Sequence, residues 1–325
     1  MDFLNKKTGS SVHSLHLHQE IIEEEILPRL PVKSLLRFRC VSKSWHSLIG
    51  SERFIKTHLK NSTNNQNYAH WKVILNSRKH GMVHCSMLSY LNEERVNLSP
   101  IDDNLMITTD LVVGCCNGLV CVVNADEFCF FVLNPATRIS IELPEIDHLI
   151  HHLQFTKLGF GWEEESGAYK VFVGVFYEYG DERLGKVYSS KTNSWKTVEH
   201  GCLDWHCTSG KFACGRLHWV AVSGGHTYIE SFDLKSEVFE TMELPCKLRK
   251  GDGIRPWLWV IEGCLSVVCD DYGNGKRRVW IMKEYGVKES WVEEISKPSK
   301  KIRRCCEAFF YPESLVSPIP QDNLH

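Results

Sequence analysis

At 325 residues, with 43% hydrophobic and 24% charged side chains, the chain has room for one large globular domain and a small second module. A formal net charge of -2 argues against a chain whose first task is binding nucleic acid phosphates, and no apolar run approaches the ~20 residues that span a bilayer. Fourteen cysteines would fit disulfides, but Met1-Asp2-Phe3-Leu4-Asn5-Lys6-Lys7 carries no apolar signal core, so reduced thiols in a cytoplasmic or nuclear protein are expected.

Residues 1–14 are polar and are expected to be a flexible N-terminus. Residues 15–59 read as a helical module. Ile22, Ile26 and Leu30 recur at i, i+4, i+8 with Leu27 alongside, which predicts a first helix. Glu20, Glu23, Glu24 and Glu25 in its first half and Arg29 at its end suit the helix dipole. Pro28 distorts its last turn and Pro31 stops it. One residue too many separates Ile21-Ile22 from Ile26-Leu27, so only Ile22 keeps i+4 spacing, and an extra residue turns a helical face by roughly 100°. A second helix opens at 32–34 with Leu35, Leu36 and Phe38 apolar. Val41 and Trp45 repeat at i, i+4 ahead of Leu48 and Ile49, and Phe54, Ile55 and Leu59 form a last short helix. Some forty residues are too few to bury this much apolar surface alone, so the module needs a partner surface.

Residues 60–70, rich in Asn, read as a linker. The period then changes from helical to alternating, and short strands run over 71–312. Gly118-Leu119-Val120-Cys121-Val122 recurs as Gly215-Arg216-Leu217-His218-Trp219-Val220 and as Gly263-Cys264-Leu265-Ser266-Val267-Val268. Leu119, Leu217 and Leu265 fit a unit of about 49 residues with one copy missing. A second element, strand then polar turn then strand, recurs at Phe131–Ile139, Val187–Trp195 and Ile229–Val238, with a longer copy from Val279 to Trp291. This periodicity predicts an all-β propeller, kelch-like, with five or six blades; a β-sandwich is the alternative. Residues 313–325 are left as a C-terminal tail.

No catalytic, cofactor-binding or metal-binding set stands out. Cys116/Cys121, Cys202/Cys207 and Cys264/Cys269 lie five apart, which puts partners on opposite faces of a strand, and Cys115-Cys116 and Cys305-Cys306 are adjacent; none has zinc spacing. Asp147, His148, His151 and His152 fit a polar loop better than a metal site. Asp270-Asp271-Tyr272-Gly273-Asn274-Gly275-Lys276 reads as a hairpin turn. The basic run 297–304 reads as a solvated loop, with a nuclear import signal or acidic-partner patch as the alternative.

Ile26-Leu27-x-Arg29-Leu30-Pro31-x-Lys33-Ser34-Leu35-Leu36-Arg37-Phe38-Arg39-Cys40-Val41-Ser42-Lys43-Ser44-Trp45, followed by Phe54-Ile55, resembles the F-box of plant F-box proteins, although Leu17-His18 stands where that family usually opens with Leu-Pro. Cys116-Asn117-Gly118-Leu119-Val120-Cys121, Asn134-Pro135-Ala136-Thr137-Arg138, Leu158-Gly159-Phe160-Gly161-Trp162 and Lys191-Thr192-Asn193-Ser194-Trp195 resemble the F-box-associated interaction domain. The resemblance implies that Ile22, Ile26, Leu30, Pro31, Leu35, Leu36, Val41 and Trp45 build or support a surface for a Skp-type adaptor. It also implies that the adaptor bridges to cullin and RING subunits, and that the propeller presents a target protein for ubiquitination. The expected function is therefore substrate recognition in a Skp–cullin–F-box ubiquitin ligase, without catalysis and without nucleic-acid or membrane partners. The alternatives are an F-box-derived interaction protein outside a ligase, or a propeller enzyme.

Overall fold

The structure, a computed structural model, describes residues 19–65, 69–77, 81–91, 97–101, 110–124, 126–146, 153–177, 183–199, 208–245, 255–271, 276–296 and 308–319. Helix α1 (Gln19–Ile21) widens into a π turn over Ile22–Ile26 and then tightens into a 3-10 turn over Leu27–Arg29. Pro28 accounts for this. It has no N–H to donate to the Glu24 carbonyl, and its ring would clash with that carbonyl in an α-helix. The Leu27 N–H instead reaches back five residues to the Ile22 carbonyl, and the wide turn absorbs the extra residue. The packed face changes as a result. Leu27 and Pro28 are buried, whereas Ile26, expected on the inner stripe with Ile22 and Leu30, is turned outward and 39% exposed.

Helix α2 (Val32–Phe38) follows Pro31. Ser42 caps α3 (Lys43–Gly50) by accepting the Trp45 N–H at 3.1 Å, and Ser51 caps α4 (Glu52–Thr63) by accepting that of Phe54 at 3.3 Å. Val41 and Trp45 are therefore not one helical stripe, because a turn and a cap separate them. Helix α4 runs four residues past Leu59, into the stretch read as linker. Leu27, Val32, Leu35, Ile49 and Phe54 form the core of the module, together with Leu315 from the other end of the chain.

Five sheets follow. Blade 1 holds β1 (Trp71–Ser77), β2 (Gly81–Ser86) and β3 (Ser99–Pro100), with α5 (Met87–Leu91) between the last two. Blade 2 holds β4 (Asp110–Cys116), β5 (Leu119–Asn124), β6 (Cys129–Asn134) and β7 (Ile139–Glu142). Blade 3 holds β8 (Leu153–Glu163), β9 (Ala168–Tyr177), β10 (Arg183–Ser189) and β11 (Ser194–Glu199), and β12 (Thr208–Ser209) adds to it parallel to β8. Blade 4 holds β13 (Lys211–Ala213), β14 (Arg216–Ser223), β15 (His226–Asp233) and β16 (Phe239–Glu243). Blade 5 holds β17 (Arg255–Ile261), β18 (Cys264–Asp271), β19 (Lys276–Met282) and β20 (Trp291–Ser296). The last strand, β21 (Phe309–Pro312), returns to blade 1 and pairs antiparallel with β1, Trp71 opposite Pro312 and Ile74 opposite Phe309. The ring is closed by strands from opposite ends of the domain, and the blade number is five.

The recurring leucines open the second strands of blades 2, 4 and 5, each after a tight turn with left-handed backbone at Asn117-Gly118, Cys214-Gly215 and Glu262-Gly263. The missing copy lies in blade 3, where Ala168 takes the leucine's place midway between Leu119 and Leu217, behind a longer turn ending at Gly167.

Four seams between blades share buried apolar clusters. Ile74, Met82 and Tyr311 meet Val112, Val120 and Leu133 between blades 1 and 2. Leu119 and Val123 meet Leu158 and Val171 between blades 2 and 3. Phe172 and Val187 meet Leu217 and Phe232 between blades 3 and 4, and Ala213 and Ile229 meet Leu265 and Trp280 between blades 4 and 5. Cys264 and Cys269 face different clusters, as strand alternation requires. Cys116 and Cys121 instead share one cluster, because the turn at Asn117-Gly118 puts them on neighbouring strands rather than on opposite faces of one. The nine cysteines among the described residues are free thiols.

Candidate docking surface and the face opposite it

Strand directions sort the loops into two ends. Counting β21 as the first strand of blade 1 and β1 as its second, turns between first and second strands, and between third and fourth, lie at one end of the blades, and the remaining connections leave from the other. The helical module sits at the first end, because the chain enters β1 there and leaves β21 there.

Two contacts tie α4, which runs on toward the propeller, to the first helical segment: His58, fully buried, reaches the Leu30 carbonyl through Nε2 at 3.0 Å, and Asn61 Nδ2 donates to the Pro28 carbonyl at 3.3 Å. The Glu313 N–H donates to the His70 carbonyl at 2.7 Å. Beyond β21 the chain then crosses the turns of blade 2. Ser314 Oγ donates to the Asn117 carbonyl at 2.8 Å, and Asn134 Nδ2 donates to the carbonyls of Ser314 and Val316 at 2.9 and 2.7 Å. That crossing delivers Leu315 into the module core, where Ala136 of the β6–β7 turn also packs. Residues 313–319, read as tail, are thus the joint between module and propeller.

The eight residues singled out on the module fall into three groups. Leu35 is 0% exposed and supports the surface from within. Ile22, Leu30, Leu36 and Trp45 are half-buried against the module core, and Trp45 meets Phe38 edge-to-face at 5.5 Å. Ile26, Pro31 and Val41 are exposed, Val41 at 64%. Ile21, 44% exposed, joins the outward apolar residues, a position missed in sequence because the π turn had no visible signature there. Glu25 pairs with Arg29 at 2.7 Å and Glu24 with Arg53 at 3.3 Å, both in solvent.

The opposite end carries the turns at Asp126–Phe128 and Gly224-Gly225, and the long connections between blades depart from it. Asp147, His148, His151 and His152, Cys202/Cys207, residues 272–275, the basic run 297–304 and Cys305-Cys306 lie outside the described residues. Buried charge under this scaffold was not legible in sequence. Lys157, 1% exposed on β8, forms an ion pair with Glu230 on β15, and Lys170 on β9 pairs with Glu237 at 3.0 Å, so blades 3 and 4 are joined by charge as well as by apolar packing. His218, buried on β14, donates its Nδ1 hydrogen to the Lys211 carbonyl at 3.1 Å, so its neutral Nε2 accepts from the Tyr285 hydroxyl at 2.8 Å; burial holds its pKa down to about 4.

The family model described as the F-box domain matches residues 22–57, and that described as the F-box associated beta propeller domain matches residues 62–317. The chain belongs to the F-box proteins that carry this propeller. Helix α4 bridges the two matched regions without a break. An F-box/kelch-repeat protein of Arabidopsis thaliana is 32% identical over 301 residues, covering 89% of this chain and 80% of its own. The Arabidopsis thaliana F-box protein CPR1 is 29% identical over 336 residues, covering 91% of this chain and 76% of its own. An F-box joined to a propeller is the build of an F-box substrate-recognition protein.

Proposed function

We propose that this F-box protein is the substrate-recognition subunit of a Skp–cullin–F-box ubiquitin ligase in the cytoplasm or nucleus. The F-box holds a Skp-type adaptor, the adaptor brings cullin and RING subunits, and the far end of the propeller holds the target. Chemistry takes place on the other subunits. This chain contributes proximity: two tethered sites raise the effective concentration of a target lysine near the conjugating enzyme.

The seating of the F-box carries this reading. With α4 running on to Thr63, His58 against the His70 ring and Leu315 inserted in the F-box core, the adaptor surface and the target end keep one fixed relation. Val41, Ile26 and Pro31 offer outward apolar contacts, Ile22, Leu30, Leu36 and Trp45 offer partial ones, and Leu35 supports them from inside. A second reading, an F-box protein outside any ligase, draws on the π turn that displaces Ile26. Size-exclusion chromatography with purified Skp-type adaptor and cullin–RING separates the two. Coelution of cullin that requires the adaptor supports the ligase role. Adaptor binding without cullin, or no adaptor binding by folded protein, overturns the ligase role and favours the second reading.

A further inference from the structure

Residues 26–51 of the F-box carry the cations Arg29, Lys33, Arg37, Arg39 and Lys43 and no acidic residue, in a chain whose formal net charge is -2. Arg29 is paired with Glu25. Lys33, Arg37, Arg39 and Lys43 have no ion pair among the described residues, whereas the cations to either side do, Lys56 with Glu52 and Arg53 with Glu24.

Folding alone does not account for this placement. Neither α2 nor α3 has an acid in its first turn. Lys33 instead stands in the first turn of α2 and Lys43 opens α3, where the helix dipole disfavours a cation. Lys33 and Arg37 are exposed at i, i+4 on α2, a like-charge pair that destabilises a helix. The neighbouring segments keep the opposite order: Glu23, Glu24 and Glu25 precede Arg29, and Glu52 opens α4 ahead of Lys56. Local rules broken on one part of a module and obeyed on the rest mark a surface shaped by function.

That surface is not purely charged. Arg37, Val41 and Lys43 are all exposed, so Val41, at 64%, stands between cations in the α2–α3 turn. Arg39 lies along α3, its guanidinium nitrogen 3.4 Å from His46 Nε2. Apolar contact flanked by charge is the layout of a protein interface, with a polar rim around a drier centre. The phosphates of a nucleic acid would pair with the cations and leave Val41 bare. A membrane surface calls for protruding Trp, Phe or Leu, and here Trp45 and Phe38 pack on each other.

We propose that α2 and the α2–α3 turn dock a carboxylate-rich surface of the Skp-type adaptor, with acidic side chains opposite Lys33, Arg37 and Lys43 and an apolar patch against Val41. This rests on the adaptor role proposed for the F-box and adds the charge of its partner. Charges arranged in this way speed encounter more than they tighten the final complex.

The test is the association rate of the full-length protein with purified plant Skp-type adaptor, followed by stopped-flow fluorescence from about 0.02 to 0.5 M salt. The rate should fall about tenfold or more across that range while dissociation stays nearly constant. Lys33→Glu/Lys43→Glu should slow association about tenfold or more at low salt, with the thermal midpoint unchanged or raised, because acids suit both helix starts. Lys191→Glu, the same charge reversal on an exposed turn of blade 3, should leave the rate nearly unchanged. Association insensitive to salt, or unaffected by the folded double variant, overturns the proposal and leaves the adaptor role standing; no association by folded wild-type protein at any salt overturns both. Slowing by Lys191→Glu equal to that by Lys33→Glu would assign the effect to net charge and overturn it too. So would wild-type binding to phosphatidylserine vesicles or duplex DNA that the double variant abolishes while adaptor association is unchanged. If the double variant does not fold, Lys33→Glu alone decides.

Discussion

His58 on α4 donates its Nε2 hydrogen to the Leu30 carbonyl, 28 positions earlier in the chain and 3.0 Å away. A carbonyl only accepts, so the proton is on Nε2 and the buried Nδ1 is left as a lone pair with no hydrogen-bond partner. Acid would put a charge there, inside the joint between F-box and propeller. Burial opposes this and lowers the His58 pKa below its ordinary 6.5, with the nearby His70 acting in the same direction.

Acid should therefore loosen the molecule in a defined window. His58 and His218 are both neutral in the folded chain, and His218 is held at about 4. The unfolded chain takes up those protons from about pH 6.5 downward, so the stability they protect is complete above that pH and is lost progressively toward pH 4. For His218 the loss is roughly 3 kcal/mol. Urea midpoints measured from pH 7.5 to 4.5 should fall, and His58→Gln, which retains a donor, should flatten part of the slope. A level profile would contradict the buried neutral histidines.

Gly118 is tied to the path of the chain after β21. Its φ is +81°, and an added Cβ would come closer than 3.0 Å to Ser314 Oγ, Ser314 Cβ and the Pro312 carbonyl. Gly118→Ala should cost more than ~2 kcal/mol, combining left-handed strain with steric overlap at the ring closure. Gly263→Ala, at a similar φ but in open space, should cost only about 1 kcal/mol. Equal thermal shifts would mean that the Ser314 crossing is not tightly held.

Lys157 and Glu230 form the buried ion pair between blades 3 and 4. Lys157→Met should cost about 3–5 kcal/mol because it strands the Glu230 carboxylate inside the protein, and adding Glu230→Leu should recover most of that loss. A double-mutant cycle by chemical denaturation measures the coupling; additive costs would contradict the pairing.

The parts legible in sequence are those whose cause is local. The turns before Leu119, Leu217 and Leu265 each need left-handed backbone, so Gly recurs and marks the blades; the F-box helices show their apolar spacing and stop residues. The unread parts depend on distant partners. Blade 1 is divided between Trp71–Ser77 and Phe309–Pro312, so no repeat crosses it. Leu315 looked like part of a tail because the F-box core that receives it lies near the other end of the chain. The outward turn of Ile26 arises from which carbonyl the Leu27 N–H selects once Pro28 blocks the α-helical register, and apolar periodicity does not carry that choice. Lys157 reads as a surface residue until the fold brings Glu230 against it, and the bulge between Phe155 and Lys157 shifts the register of β8 at that point.

The F-box surface offers a clean separation of folding from contact. Leu35 is fully buried and Val41 is 64% exposed. Leu35→Ala should lower F-box stability by about 2–5 kcal/mol, seen as a separate early transition or a lower midpoint in thermal denaturation. Val41→Asp should leave the midpoint unchanged, and a drop comparable to that of Leu35→Ala would place Val41 in the core.

The most direct measurement is a calorimetric titration of the full-length protein with a purified plant Skp-type adaptor, comparing wild type with Val41→Asp. The account predicts saturable one-to-one binding that Val41→Asp weakens by at least ~2 kcal/mol, about thirtyfold, at unchanged thermal midpoint. No binding by folded wild-type protein, or equal affinity in Val41→Asp, would contradict it.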